Sequence, residues 1–192
     1  LCKVGRGSSP RPKNDQTFFE GGTIPWIKIA DATASQKKIF RTKEHVNDYG
    51  ASFSRKLPQG SLIIATSGTL GFPMILGVEG CIHDGWMYVD NLQGIDREFF
   101  YYKLLTLQSY FNSKSYGAAI QNINTEILRE TEISLPPPPI QRRIGSILCA
   151  YDDLIENNLR RIALLEESAR LLYKEWFVRL RFSGYEHTKI VN

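Results

Sequence analysis

Little in this sequence offers a covalent framework or a catalytic centre. Cysteine occurs three times, at Cys2, Cys81 and Cys149, far apart and with no Cys-x-x-Cys, so neither a disulfide scaffold nor a zinc ribbon is expected. His45, His83 and His187 are the only histidines, and no His-x-x-x-His or His-Glu-x-x-His occurs, which leaves no metal ligands to nominate. His83-Asp84 could be half of an acid–base pair, but adjacent side chains usually point apart, so no dyad is expected. Ser67-Gly68-Thr69-Leu70-Gly71 is Gly-rich without a following Gly-Lys-Ser/Thr, and no Gly-x-Gly-x-x-Gly follows a strand. Phosphate-cradling and dinucleotide loops are therefore excluded. An Asn-Pro-Pro-aromatic tetrad and a clustered acidic-plus-Lys nuclease signature are also missing. No apolar run approaches the length that crosses a bilayer, and no apolar segment follows Lys3, Arg6, Arg11 and Lys13 as a secretory leader would require. The expectation is a non-catalytic binding module with no metal, no cofactor of its own and no membrane contact, in a reducing cytoplasm.

What is present is unevenly spread. The net charge of +4 conceals a basic first third, with 11 Lys and Arg against 5 Asp and Glu in residues 1–60. Residues 61–139 hold 4 against 8, and residues 140–192 hold 9 against 7. A basic segment of this kind suits a polyanionic partner, or is simply a solvated face.

Texture divides the chain as well. Residues 1–139 carry short apolar runs between turn signals: Ile24-Pro25-Trp26-Ile27-Lys28-Ile29, Ser61-Leu62-Ile63-Ile64-Ala65-Thr66 and Gly85-Trp86-Met87-Tyr88-Val89 read as strands. Phe100, Leu104, Leu107 and Phe111 recur at helical spacing, which predicts one helix near Arg97–Phe111 with Asp96 as its cap. Asn124 ahead of Thr125-Glu126-Ile127-Leu128 predicts a second, short one. Pro136 to Pro139 then read as a stiff polyproline segment closing the region.

From Ile140 to Arg181 the only Gly is Gly145 and there is no Pro. Ile144, Leu148, Tyr151, Ile155, Asn158, Ile162, Leu165, Ala169, Leu172 and Trp176 follow one another in alternating steps of four and three, a heptad seam. A helix of that length is roughly 60 Å long. It cannot bury its seam alone and needs a helix from its own subunit, a second copy or another protein. Asn158 on the seam is either tolerated in a lightly packed layer or a device that selects register and partner, because a buried Asn needs a hydrogen-bonding partner opposite.

These residues resemble half of a specificity subunit of a Type I restriction–modification system, one target recognition domain followed by one spacer helix. Gly7 and Pro10 fit the opening Gly-x-x-Pro segment. Gly22 to Asp31 is similar to the Gly-x-Ile-Pro-Trp-x-x-x-x-Asp stretch, and Gly60 to Ala65 and Ser67 to Gly71 fit the next strand and loop. Gly117 to Asn124, with Ile127-Leu128 after it, resembles the Gly-x-x-x-x-Asn-Ile-Asn segment. Pro136 to Ile144 resembles the Pro-Pro-x-x-x-Gln-x-x-Ile junction, and Leu172-Tyr173-x-x-Trp176-Phe177 the end of the helix. Arg142-Arg143 after Gln141 depart from the pattern, which more often has an acidic residue before the Gln. A full specificity subunit has two such halves, so the chain is either a natural half-subunit or part of a longer protein.

The resemblance implies an α+β fold. A small β-rich target recognition domain over residues 1–139 is followed by a coiled-coil-forming helix over 140–182 and a tail over 183–192. It also implies recognition of one half of a split double-stranded DNA target. Spacer helices would pair antiparallel, here with a second copy, and dock methyltransferase subunits that carry S-adenosylmethionine, while a separate restriction subunit cleaves. Base and phosphate readout needs polar and basic side chains on loops. The candidates beside the matched segments are Lys28, Arg41, Lys43, Ser67, Thr69, Lys114, Ser115, Tyr116, Gln121 and Asn122, each with the plainer reading of a solvated loop residue. Trp26 and Asn124 read as a core aromatic and a helix cap. The rival reading is a protein-interaction adaptor on a coiled-coil stalk without DNA, which the basic first third disfavours. A self-contained enzyme would need a cofactor site that the sequence does not contain.

Overall fold

The computed structural model of the chain describes residues 2–33, 35–115 and 123–181. The chain divides into two compact units, Leu1–Leu148 and Cys149–Asn192. The architecture is α+β: a sheet-rich first unit, and a long helix that begins in it.

Nine strands build two sheets: β1 (Lys3–Arg6), β2 (Ile24–Ile27), β3 (Lys38–Ile39), β4 (Glu44–Val46), β5 (Arg55–Leu57), β6 (Leu62–Ala65), β7 (Pro73–Leu76), β8 (Gly80–Ile82) and β9 (Trp86–Asp90). One sheet has the order β1-β9-β6-β7-β3 and the other β4-β2-β8-β5. Two pairings are parallel, β3 with β7 and β2 with β8; the rest are antiparallel. The three runs read as strands from sequence become β2, β6 and β9. The others have two to four residues each, too short to show an alternation.

Strand β6 shows why the run Leu62-Ile63-Ile64-Ala65 is apolar at every position. Successive side chains point to opposite faces of a sheet. Leu62 and Ile64 pack with Val89, Ile75, Phe100, Leu104 and Phe111 on the helical side. Ile63 and Ala65 pack with Ile27, Ile39, Leu57, Ile82 and Trp86 between the sheets. The five-stranded sheet is thus buried on both faces. A third, smaller cluster of Trp26, Val46 and Cys81 lies on the other side of the four-stranded sheet, beneath Phe19, Ile24 and Ala51. The indole N–H groups of Trp26 and Trp86 are buried and meet no acceptor among the described residues.

The helices are α1 (Ile29–Thr33), α2 (Asp48–Ser52), α3 (Arg97–Thr106), α4 (Gln108–Ser115), α5 (Thr125–Glu130) and α6 (Pro138–Tyr173). Asp96 caps α3 by accepting the Phe99 N–H at 2.9 Å, and Asn124 caps α5 by accepting the Ile127 N–H at 2.9 Å. The single helix expected over Arg97–Phe111 is instead two. Leu107 is the C-cap of α3, at φ −94° and ψ 0°, and its N–H turns back to the Leu104 carbonyl in a tighter bond than the α-helical one. The break re-aims the chain so that Phe111 is fully buried.

The tetraproline is also corrected. It is not polyproline throughout: Pro138 and Pro139 form the first turn of α6, where a missing N–H costs nothing. The N–H groups of Ile140 and Gln141 donate to the Pro137 carbonyl at 2.9 and 3.1 Å. The α-helix ends at Tyr173, and a π-turn spans Lys174–Val178. No described helix is long and apolar enough to cross a membrane.

In the second unit the apolar side chains of the helix lie open. Tyr151 is 63% exposed, Ile162 51% and Leu165 67%, and Ile155, Asn158, Ala169, Leu172 and Trp176 are exposed too. Leu154, Leu159 and Leu171, outside the seam as read, are equally open. Ile144 and Leu148, which open the seam, are half-buried in the first unit.

Candidate nucleic-acid interface

Buried Asp31, 5% exposed, organises the basic first third. Its Oδ2 accepts the Lys28 N–H at 2.8 Å and its Oδ1 the Lys43 N–H at 3.2 Å, so the turn after β2 and the β3–β4 loop are tied to one carboxylate. The Lys28 ammonium lies 4.7 Å from the centre of the Trp26 ring and pairs with Glu44. Arg41 and Lys43 are exposed, and neither side chain makes an ion pair among the described residues.

Thr66, fully buried, plays the same part for the polar loops. Its N–H and its hydroxyl both donate to the Gly85 carbonyl, at 2.8 and 2.9 Å, and its carbonyl accepts the Ile123 N–H at 3.1 Å. The β6–β7 loop, the turn between β8 and β9 and the entry to α5 therefore meet at one residue. The β6–β7 loop carries Ser67, half-buried, and Thr69, exposed. Gly68 and Gly71 both have φ +73°, a conformation that a side chain would strain. A Cβ on Gly71 would stand 2.4 Å from the Phe111 ring, so α4 closes on this loop. A Cβ on Gly68 would reach Ile29 at 3.6 Å, so the loop also borders the Lys28–Asp31 turn.

The turn between β8 and β9 holds a charge cluster that sequence reasoning did not nominate. Asp84 accepts from Arg11 at 2.7 Å and from Lys13 at 3.3 Å, and His83 Nε2 lies 2.8 Å from its Oδ1 and 3.0 Å from the Lys13 ammonium. The Arg6 Nε–H donates to the Asp84 carbonyl at 3.1 Å. The two side chains of His83 and Asp84 approach each other across the turn instead of pointing apart. The Gly85 N–H donates to His83 Nδ1 at 2.9 Å, which fixes the ring over the turn. Burial pushes the His83 imidazole below its usual value. Asp84 pulls it back, and Lys13, Lys28 and Arg11 lower it further. Burial raises the Asp84 carboxyl, but His83 and Lys13 outweigh it and hold it below the usual range. The imidazole is neutral and the carboxylate charged near neutrality. Sequence could have flagged Arg11 and Lys13 as part of the basic third, but nothing in it pairs them with Asp84.

Lys28, Lys43, Ser67 and Thr69 are therefore brought together. Lys114, exposed, lies 5.6 Å from the Tyr110 ring near the end of the same α4 that closes on Gly71. The Ser115 backbone ends α4, and Tyr116, Gln121 and Asn122 lie outside the described residues. Exposed cations beside hydroxyl-bearing loops can neutralise phosphates and donate to base edges.

A family model described as the Type I restriction modification DNA specificity domain matches residues 1–167. The chain belongs to this family. The Type I restriction enzyme MjaIX specificity subunit of Methanocaldococcus jannaschii is 29% identical over 183 residues, which are 93% of this chain and 42% of that protein. The S subunit of a Type I restriction–modification system from M. genitalium has the same fold, with TM-score 0.65 and 16% identity over 94% of this chain and 44% of its own. The HsdS subunit from Thermoanaerobacter tengcongensis gives TM-score 0.58 and 22% identity, over 88% and 37%. The chain spans about two-fifths of the length of these relatives.

Proposed function

We propose that this chain recognises one half of a split DNA target within a Type I restriction–modification complex and directs partner methyltransferase and restriction subunits to it. The carrying observation is that, in a chain of this family, the Asp31-held turn with Lys28 and Lys43 borders the Thr66-held loop with Ser67 and Thr69. The chain itself performs no chemistry; S-adenosylmethionine belongs on the methyltransferase subunit, and the cytoplasm is the compartment. The helix pairs antiparallel with a second copy, supported by its open apolar side chains from Tyr151 to Trp176. Contiguous exposed apolar patches mark contact surfaces. Two copies in a symmetric pair present identical loops to both half-sites, so the target is a gapped palindrome.

The test is co-expression with a Type I methyltransferase subunit and mapping of methylated adenines on plasmid DNA. One gapped motif, methylated only when this chain is present, is the expected result. Methyl transfer by the purified chain alone, or methylation that ignores its presence, would sink the reading.

A further inference from the structure

Gln141 is 1% exposed, an unusual burial for an amide on the first turns of a helix. Its side chain is saturated by backbone. Oε1 accepts the Asp96 N–H at 2.9 Å, and Nε2 donates to the Gly94 carbonyl at 3.1 Å and the Pro136 carbonyl at 2.8 Å. One amide thus ties the residues that precede α3 to Pro136, two residues before α6. Asp96 is at the same time the cap of α3.

One turn further along the same helix face stands Gly145, also buried. A Cβ there would meet the Phe99 nitrogen at 3.0 Å, the Asp96 carboxylate at 3.1 Å and the Glu98 Cβ at 3.2 Å. Only glycine lets α6 lie this close to the start of α3. Apolar contacts tolerate sliding and rotation, but three directional hydrogen bonds and a close approach do not. Turning α6 by one residue would break all three bonds and leave a buried amide unpaired. All of these contacts lie within the first unit.

We propose that Gln141 and Gly145 are positioning residues that seat the first turns of α6 in one rotational setting on the start of α3, and that this seating sets the length of the gap in the DNA target. The proposal rests on the function proposed above. The chemistry of the half-site stays with the loops around Asp31 and Thr66; the joint governs only where two half-sites must stand.

The experiment uses the chain assembled with the methyltransferase subunit and maps methylated motifs on a plasmid library. Gln141→Met removes the hydrogen bonds at similar length, and Gly145→Ala removes none but pushes the helices apart by a few tenths of an ångström. Both should keep the half-site sequences. Methylation at the native gap should fall about tenfold, and motifs with an altered gap should appear. If Gln141→Met does not fold, Gly145→Ala decides alone. Unchanged gap length and efficiency in the folded variants would overturn the joint while leaving the functional reading intact. A wild type that methylates an ungapped motif, or none, removes that reading and the joint with it. Loss of thermal stability without any change in gap would make the joint merely structural and also overturn it.

Discussion

Asp31 lies beneath Lys43, twelve residues later in the chain, with the lysine N–H on its Oδ1 at 3.2 Å. The bond is to the backbone, so the lysine side chain stays free to point outward while its root is fixed. A buried carboxylate used in this way positions cations without neutralising them by direct pairing.

Asp31→Ala leaves the Lys28 and Lys43 amides without their acceptor. The expected loss is about 1 kcal/mol of folding stability, the net worth of a typical hydrogen bond, because water can reach these part-buried amides. Asp31→Asn should cost less, because one acceptor oxygen remains. Urea unfolding of the three proteins gives the ranking, and an Asp31→Ala midpoint equal to wild type would contradict it.

Replacing Arg41 and Lys43 together by Ala should weaken DNA binding by the assembled complex. If both meet phosphates, the slope of log affinity against log salt shrinks by about two. Titration at four or five salt concentrations measures it. An unchanged slope places both residues away from DNA.

Stability should fall on acidification through the His83 imidazole. Its folded value is lowered from 6.5, mainly by burial, so the unfolded chain binds more protons below that point. The contribution is complete above pH 6.5 and is lost as the pH falls through the folded value. Asp84, lowered from 3.8, acts with the same sign at more acid pH. His83→Asn can still accept the Gly85 N–H and should flatten the decline between pH 7 and 5. Denaturant midpoints across that range decide, and an equally steep decline in the variant rules the imidazole out.

Ile162→Glu with Leu165→Glu should convert a dimer to monomers, since burying unpaired charges at a helix seam costs several kcal/mol. Sedimentation of wild type and variant at micromolar concentration reads the change directly. A monomeric wild type would mean that the seam serves a different partner or a further part of a longer chain.

The long helix, the caps Asp96 and Asn124 and the core role of Trp26 were legible in sequence, because each depends on spacing or on a residue a few positions away. The break at Leu107 was not: Phe111 keeps helical spacing with Leu104, and only its packing on Gly71 demands the bend. At the candidate interface, Lys28 and Lys43 stood out as charges, but their common anchor on Asp31 joins segments that are separate in sequence. Thr66 is the extreme case. A lone threonine after a strand carries no signal, and its role arises only once Gly85 and Ile123 arrive beside it.

The two buried indoles give this protein a built-in optical division. Trp26 and Trp86 are buried in the first unit, with no acceptor for their N–H groups among the described residues, whereas Trp176 is 41% exposed in the second. An indole in apolar surroundings emits at shorter wavelength than a hydrated one. Melting of the sheets should therefore move the blue part of the emission to the red, and helix pairing should move the red part to the blue. One spectrum, taken without any label, separates folding from assembly.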